Sequence, residues 1–440
     1  MISEIQTNLE RSMYMLVCVA AMFASCAIHA RDFDIRDYGA NGDGKTLNTV
    51  AVQKAIDECS AVGGGRVIVE GGTYVIGTIH LKSGVDLHVE ANAVLMGSSD
   101  WQDWKDQPDA KHIDTYFCPR HRSAALIFAD EVDNIAITGR GTIHGNGMAF
   151  VEKNPGSAAG QLRRRLGIDK SPPRLILFAG CHRVKVLDVN VRYPPAGWSF
   201  WVHDCDDVVF DRLSISADVD FPNADGIHVN CSRDVRISNC NIETGDDCII
   251  VRANSASLKE NKPCERVTVV NCNLRSYSCA IRIGWVNDGM MRDCTFSNLT
   301  VRDSVCGIGL LFPPGKSREL FHDQGRESSV VENMLFSNIV MDRIYARPIY
   351  VEITSNETTR VERIRNLKFQ NVVSRGLMLP MVSAPRPGIV SDIFFSDCRF
   401  ELDPAGKSAY RNGGEAGFAS CQRFNDREHG RNVENLRVTP

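Results

Sequence analysis

The chain has 440 residues, of which 43% are hydrophobic and 24% are charged, so it is long enough to bury a sizeable core. Its formal net charge is −4, and no basic patch or stripe suggests a nucleic-acid partner. No low-complexity tract interrupts the sequence. These features exclude a nucleic-acid-binding protein and leave an ordinary globular one.

Residues 1–30 read as a signal peptide. Arg11 supplies a positive charge, and Met13–Ala30 is an apolar stretch that ends in small residues. The stretch is shorter than the roughly 20 apolar residues that cross a bilayer, which favours export over a membrane anchor. We therefore expect a periplasmic, cell-surface or secreted protein.

The signal region leaves two cleavage sites open. A Phe-Ala-Ser sequence before Cys26 resembles a bacterial lipoprotein box, and cleavage there would leave a lipid on Cys26. Cleavage near Ala27 or Ala30 would leave none. Such a lipid is the one membrane contact that we expect. Residues 31–440 are predicted to form a single domain, and we expect a monomer.

One helix is predicted near the start of the mature chain. Asp32–Tyr38 reads as an opening strand, followed by a turn rich in Gly, Asp and Asn. Asn48 or Thr49 can cap a helix that runs to about Cys59 with apolar residues at helical spacing, and Gly63–Gly65 ends it. We expect this helix to cap the end of a β stack.

From Arg66 onward, short strands recur without a further long helix. They alternate apolar and polar residues and are separated by Gly, Asn and Asp. Equivalent segments starting at Gly226, Cys248, Ala280 and Gly307 lie 22, 32 and 27 residues apart. Self-similarity at this period indicates a solenoid, and strands without long helices select a parallel β-helix, an all-β fold.

Asparagine or aspartate recurs at the turn after one strand of each coil, which indicates a side-chain ladder at a tight corner. The predicted members are Asn239, Asn271, Asn338 and Asn371 with Asp293 and Asp397.

Sixteen cysteines in an exported chain would suggest disulfides. Four of them instead share one motif position, so we expect an inward stack of small hydrophobic side chains rather than bridges. These four are Cys240, Cys272, Cys294 and Cys398.

Phe221–Arg252 holds three aspartates at the mouths of short apolar runs. Asp225 lies one coil before Asp246 and Asp247, and coils stack about 4.8 Å apart, so the three carboxylates should meet. Acids packed this closely repel each other, so one should keep its proton near neutral pH. A protonated acid beside an ionised one suits glycoside hydrolysis. The same cluster could instead hold calcium, as a polysaccharide lyase would need.

Five segments carry a family resemblance over roughly residues 32–400. They are DYGANGDGKTLNTVAVQKAI, GGGRVIVEGGTYVIGTIHLKSGVDLHVEANAVL, GRGTIHGNG, NADGIHV and GDDC, in that order. With them the chain resembles glycoside hydrolase family 28, the polygalacturonases and their relatives. The NADG and GDDC pair is specific, whereas the N-terminal segment is shared more widely among β-helix proteins.

The resemblance implies a right-handed parallel β-helix and hydrolysis with inversion. By position, Asp246 resembles the general acid, and Asp225 and Asp247 resemble the pair that activates water. A carboxylate spacing of about 5 Å is otherwise typical of retaining enzymes. We follow the family and predict inversion.

Two positions depart from the family pattern. Cys279 stands where the family usually has the histidine of Gly-His-Gly, and we expect a packed cysteine there. Gly309 and Leu311 stand where Arg-Ile-Lys usually grips a galacturonate carboxylate, and Arg282, aligned with Gly309, could supply an arginine from the neighbouring strand. The substrate is therefore predicted to be a pectic polysaccharide or oligosaccharide that contains galacturonic acid, including a rhamnogalacturonan type.

Outward residues beside the acids are candidates for sugar contacts. Trp198, Trp201 and Tyr277 are further aromatic candidates near the groove. The predicted substrate-binding residues are Asn223, His228, Arg252, Arg282, Trp285 and Tyr350. We expect no cofactor and no resident metal. The alternatives to a glycoside hydrolase are a β-helix polysaccharide lyase and a non-catalytic carbohydrate-binding protein.

Overall fold

The computed structural model describes residues 31–112, 123–154, 162–164, 174–195, 197–218, 220–313, 325–353, 359–403 and 433–439. Within them the chain winds as a right-handed parallel β-helix, and each coil adds one strand to each of three stacks. The predicted signal peptide and Cys26 lie outside the described residues. No helix among the described residues has both the length and the apolar character to cross a membrane.

One stack is a separate sheet of ten parallel strands, called here the groove sheet. Its strands are Ile79–His80, Ile127–Asp130, Arg174–Ala179, Trp198–His203, Ile227–Asn230, Ile249–Arg252, Cys279–Ile283, Cys306–Phe312, Ile349–Ile353 and Met381–Val382. The predicted periods of 22, 32 and 27 residues are confirmed by the pairing of Ile227 with Ile249, Ile249 with Ile281, and Ile281 with Ile308.

The other two stacks are joined by three long strands that run through both of them. Those strands are Met290–Ser304, Ser329–Ile344 and Val361–Gly376. The second stack otherwise contains Asp32–Asp34, Gly65–Val69, Val85–Val89, Asp133–Thr138, His182–Leu187, Asp206–Asp211, Arg233–Ser238, Cys264–Val270, Val390–Ser396 and Val433–Thr439. The third contains Asp43–Leu47, Gly72–Ile76, Ala93–Gly97, Thr142–His144, Asn190–Arg192, Ser214–Ser216, Asn241–Thr244, Asn273–Ser276 and Arg399–Leu402.

The predicted helix is confirmed and spans Thr49–Ala61. It buries Val52, Ala55, Ile56 and Cys59 against the first coils, as an amphipathic capping helix should. The predicted opening strand is shorter than expected. It ends at Asp34, whose side chain accepts a hydrogen bond from the Arg36 amide and begins a 3₁₀ helix, Ile35–Tyr38.

Smaller elements lie outside the coils. Two further 3₁₀ helices span Trp101–Asp103 and Gly147–Phe150, and an antiparallel pair joins Val151–Lys153 to Leu162–Arg164.

The asparagine ladder exists, with one correction to its membership. Successive Asn side chains donate to each other at 3.3, 3.4, 3.1 and 2.9 Å through Asn239, Asn271, Asn298, Asn338 and Asn371. All five have positive φ, which Asn tolerates better than most residues.

The prediction that Asp293 belongs to this ladder is wrong, because Asn298 holds that position. Asp293 lies earlier in the same strand and accepts from Asn333 at 2.9 Å, in a parallel row of left-handed positions.

The interior is a continuous column of apolar side chains. Phe296, Phe336, Phe369 and Phe395 stack in successive coils, with neighbouring ring centroids 4.9–5.0 Å apart. The cysteines of the described residues are all free and eleven of the twelve are buried. The predicted cysteine stack is therefore a set of small packed side chains, with Cys398 less buried than the other three.

Candidate active site

The three aspartates meet at the edge of the groove sheet, where two neighbouring strands begin. Asp225 precedes the strand Ile227–Asn230, and Asp246 and Asp247 precede Ile249–Arg252, which pairs with it in register. One carboxylate oxygen from each aspartate lies within 4.8 Å of the others. This is the separation that coil stacking predicted.

Two glycines permit this close approach. A Cβ atom on Gly226 would fall 2.2 Å from the Cys248 carbonyl oxygen, and one on Gly245 would fall 2.1 Å from that of Phe221. Backbones this close exclude any side chain, so both corners must be glycine. In the Asp-Gly and Gly-Asp-Asp sequences, the glycines thus permit the tight corners and the aspartates supply the carboxylates.

Each carboxylate is held by a different partner. Asp247 accepts a hydrogen bond from the Cys279 amide at 2.7 Å, and Asp246 accepts one from the Asp247 amide at 3.0 Å. The Asn223 amide Nδ2 lies 3.4 Å from Asp246 Oδ2. His228 Nε2 lies 2.9 Å from Asp225 Oδ2. These contacts fix the three side chains relative to each other.

Asp246 lies in surroundings that disfavour its charged form. Burial raises the pKa of Asp246 well above its usual range, and the nearby charges of Asp225 and Asp247 raise it further. Arg282 acts in the opposite direction, because its cation favours the ionised carboxylate. The balance of these effects favours a proton on Asp246.

A pocket of about 150 Å³ opens over the acids. Five of the six predicted substrate-binding residues line it, namely Asn223, His228, Arg252, Arg282 and Trp285. The indole Nε1 of Trp285 is buried, with no hydrogen-bond partner in the described part of the chain. The same holds for Nε1 of Trp198, which also lines the pocket. Both tryptophans therefore contribute ring surface to the pocket lining.

The two pocket arginines differ in how they are held. Arg252 forms a bidentate ion pair with buried Asp288, with both contacts at 2.8 Å. Arg282 stacks over Trp285 at 4.5 Å and lies 4.0 Å from Asp247. Arg252 is therefore anchored at the pocket wall, whereas Arg282 adjoins the acids.

Tyr350 is not brought to the pocket. It lies two strands beyond Arg282 in the groove sheet, is only 2% exposed, and donates a hydrogen bond to Glu352. It packs with Cys279, Cys306 and Met381. Tyr350 is therefore not among the residues that line the pocket over the acids, and its contact with substrate stays a prediction.

The two departures from the family pattern are neighbours in space. Arg282 pairs in register with Gly309, as predicted. A Cβ atom on Gly309 would lie 2.8 Å from Cys279 Sγ, so the sulfur occupies the space above the glycine. Cys279 is 2% exposed, as expected for a packed cysteine. The cysteine at position 279 therefore fills the space that the glycine at position 309 leaves.

Trp198, one of the predicted aromatic candidates, has a stacking partner that the sequence did not reveal. Its ring stacks on that of His228 with centroids 3.8 Å apart and planes 13° apart. The Arg174 guanidinium lies over two tryptophan rings of the strand Trp198–His203. Its central carbon is 5.1 Å from the ring centroid of Trp198 and 4.1 Å from that of Trp201. The strand register, which places Trp198 one coil before Asp225, is the signal that could have found it.

Comparisons with known proteins agree with this geometry. The model of the glycosyl hydrolases family 28 matches residues 59–378. A probable polygalacturonase of Vitis vinifera is 27% identical over 301 residues, which cover 66% of this chain and 58% of that protein. A polygalacturonase of Persea americana is 26% identical over 324 residues, covering 73% and 61%. The chain thus spans about three fifths of the length of these relatives.

The fold has relatives among solved structures. A family 28 exopolygalacturonase of Yersinia enterocolitica superposes with a TM-score of 0.67 at 20% identity, over 93% of this chain and 78% of that one. At this identity the likeness concerns the fold alone. The family model covers most of the chain, including all three aspartates, and the chain therefore belongs to the glycosyl hydrolases family 28.

Proposed function

We propose that the protein hydrolyses a glycosidic bond in a pectic polysaccharide or oligosaccharide that contains galacturonic acid, with inversion at the anomeric carbon. The observation that carries this proposal is the raised pKa of Asp246 beside two further carboxylates in a family 28 chain. Such a set supplies an acid and a base at once.

In the proposed reaction, Asp246 gives its proton to the departing glycosidic oxygen as the bond to the anomeric carbon breaks. Asp225 and Asp247 hold a water molecule, take its proton and direct its oxygen to the opposite face of that carbon. His228 keeps the Asp225 carboxylate oriented through the hydrogen bond at Oδ2. Asn223 does the same for Asp246.

The carboxylate spacing argues against inversion if it is taken alone, because oxygens within 4.8 Å match retaining enzymes better. Three carboxylates are present here rather than two, however. Two of them can share one water molecule while the third acts as acid, so no carboxylate is needed as a nucleophile. The family resemblance favours the same outcome.

The substrate class follows from the charges around the pocket and from the relatives. Arg282 lies next to the acids and can pair with the carboxylate of a uronic sugar. Gly309 and Leu311 leave no side-chain cation where Arg-Ile-Lys is usual. We therefore include rhamnogalacturonan-type backbones, in which uronic and neutral sugars alternate, beside homogalacturonan.

Digestion of homogalacturonan and rhamnogalacturonan by the wild type and by Asp246→Asn tests the proposal. We expect new reducing ends with the wild type alone and, in early NMR spectra, products with the anomeric configuration opposite to that of the substrate. Equal activity of the two proteins would contradict the acid assignment. An initial product that keeps the substrate's configuration would contradict inversion.

A polysaccharide lyase is the second candidate, since three clustered carboxylates are also ligands that calcium prefers. A lyase would need the ion and would release unsaturated products that absorb in the ultraviolet. Oligosaccharide binding without any new reducing ends would instead support a non-catalytic protein.

We further propose that residues 31–440 form one exported catalytic domain that acts as a monomer. The apolar stretch Met13–Ala30 supports export. Mass spectrometry of the mature N-terminus, including a search for a lipid on Cys26, and the mass in solution test these points.

A further inference from the structure

The groove sheet is covered on the side that precedes the acids. In its outward row, Phe128 pairs with Leu177, Leu177 with Trp201, and Trp201 with His228. These residues face away from the core, yet Phe128 and Trp201 are 3% exposed and Leu177 is fully buried. An open groove would leave this row accessible to solvent.

Two segments of the described part of the chain cover the row. Residues 107–112 place Ala110 on it, and residues 254–262 place Leu258 on it. The first segment is fixed by the Lys111 amide, which donates to Asp130 at 2.7 Å. The second is fixed by the Ser257 hydroxyl, 2.8 Å from Nε2 of a buried histidine of the groove sheet, His203.

One carboxylate joins the two covering segments. Asp204, at the corner after the strand Trp198–His203, binds His112 Nε2 at 2.6 Å and the Lys262 ammonium through the same oxygen, Oδ2. The His112 ring also lies against the corner glycine Gly180, where a Cβ atom would be 2.4 Å from Nδ1. Residues 107–112 and 254–262, held by Asp204, are called here the end wall.

Two cavities lie near the end wall. One is the pocket with the acids, bounded by Trp198 and the His228 ring stacked on it. The other has a volume of about 300 Å³ and is lined by His112, Asp204 and Lys262 but by none of the three acids. Trp198 packs in the same apolar cluster as the covered row and also lines the pocket with the acids.

We infer that the end wall makes this an end-acting enzyme, which removes one or two sugars at a time from a chain terminus. A polysaccharide that lies across the acids and along the stacking direction of the strands meets the covered row at Trp201, one strand before His228. Only a short terminal portion of the chain fits between the end wall and the cleaved bond. This inference rests on the proposed function, and it adds the mode of attack.

The test uses a hexamer of galacturonic acid and homogalacturonan with the wild-type protein. We expect the first products of the hexamer to be a pentamer with a monomer, or a tetramer with a dimer. On the polymer, reducing ends should appear with little early loss of viscosity. Early trimer from the hexamer, or a rapid fall in viscosity, would overturn the inference while leaving the hydrolase proposal intact.

Inactivity on every pectic substrate would count against the proposed function instead. The end wall is then tested by binding of Asp246→Asn to galacturonate oligomers that carry a bulky group at one terminus or at the other. Binding that is lost when one of the two termini is blocked supports the end wall. Binding that tolerates a bulky group at either terminus overturns it.

A variant of Asp204, which joins the two segments of the end wall, gives a second test. Asp204→Asn removes the shared charge, and faster hydrogen exchange in residues 107–112 and 254–262 would verify that the end wall has loosened. We expect this variant to produce internal cleavage products that the wild type does not. Asp206→Asn is the matched control, because Asp206 pairs with Arg233 and His182 at the same corner but not with the end wall. A loosened end wall that still yields terminal products only would overturn the assignment.

Discussion

His228 Nε2 and Asp225 Oδ2 lie 2.9 Å apart, and the His228 ring is clamped flat against Trp198. The family histidine of the Gly-His-Gly motif is absent from this chain, where Cys279 takes its place. The histidine that does contact the acids therefore comes from the strand that follows Asp225 rather than from a later coil. Because His228 contacts a carboxylate, its part in the proposed reaction is to orient the base, Asp225.

Replacement of His228 should lower kcat more than it raises KM. We expect His228→Ala to reduce kcat roughly 10- to 100-fold, because a misaligned base loses part of the 10²–10⁴-fold that general base catalysis supplies. His228→Gln, which keeps a donor of similar reach, should recover part of the loss. Steady-state kinetics measure both. His182→Asn, at an exposed corner, serves as the control, and a loss confined to KM would contradict a positioning role.

Asp246→Asn should abolish most of the turnover without loss of the fold. We expect a loss of roughly 10²–10⁴-fold in kcat, since the amide cannot give a proton to the departing oxygen. Asp207→Asn, on the exposed side of the second stack, should retain full activity. Circular dichroism checks that both variants fold.

Asp246→Asn should also stabilise the protein at neutral pH. The pKa of Asp246 is raised in the folded state, so the folded protein binds more protons there than the unfolded chain, and stability falls as pH rises from the ordinary aspartate pKa through the raised one. Asparagine carries no charge and escapes this penalty. Thermal unfolding should show a higher Tm for the variant at pH 7 and a shrinking difference at acid pH. A constant difference across pH would speak against a raised pKa.

The alkaline limb of the activity profile should move when Arg282 is neutralised. The Arg282 cation lowers the pKa of Asp246, so Arg282→Gln should raise it, and the acid should stay protonated to higher pH. The plot of kcat against pH should then lose activity at higher pH than in the wild type. A shift in the acid direction would show that another group controls this limb.

Chelation should leave activity unchanged. A hydrolase that uses three carboxylates for proton transfer needs no ion, whereas a lyase at the same site would depend on calcium. Release of reducing ends is measured before and after exhaustive treatment with a chelator. A loss that added calcium restores, together with products that absorb in the ultraviolet, would favour the lyase.

Strand register was the most predictable part of the molecule. The alternation of apolar and polar residues determines which strands stack, so the sequence alone aligns Asp225 with Asp247 and Arg282 with Gly309. Contacts between segments outside the repeat could not be predicted from the alternation of apolar and polar residues. The contact of His112 with Asp204 joins residues 92 positions apart in segments without periodicity.

The wrong assignment of Asp293 and the burial of Tyr350 both have clear physical origins. Asp293 and Asn298 are five residues apart on one long strand, and both occupy left-handed positions, so composition alone could not assign each to its row. Tyr350 does alternate outward from the core, but its surroundings bury it, and side-chain direction within a strand does not report what covers the sheet.

The long strands Met290–Ser304, Ser329–Ile344 and Val361–Gly376 carry a consequence for how the molecule would come apart. A repeat protein ordinarily frays from its ends, one unit at a time. Here three consecutive units pair along two faces, with register shifts only near the two ends of the last pairing, so unzipping from the C-terminal side should slow before it reaches the coils with Asp225 and Asp246. The catalytic coils are thus shielded by a block that opens cooperatively, and their amides should exchange with solvent on the timescale of global unfolding.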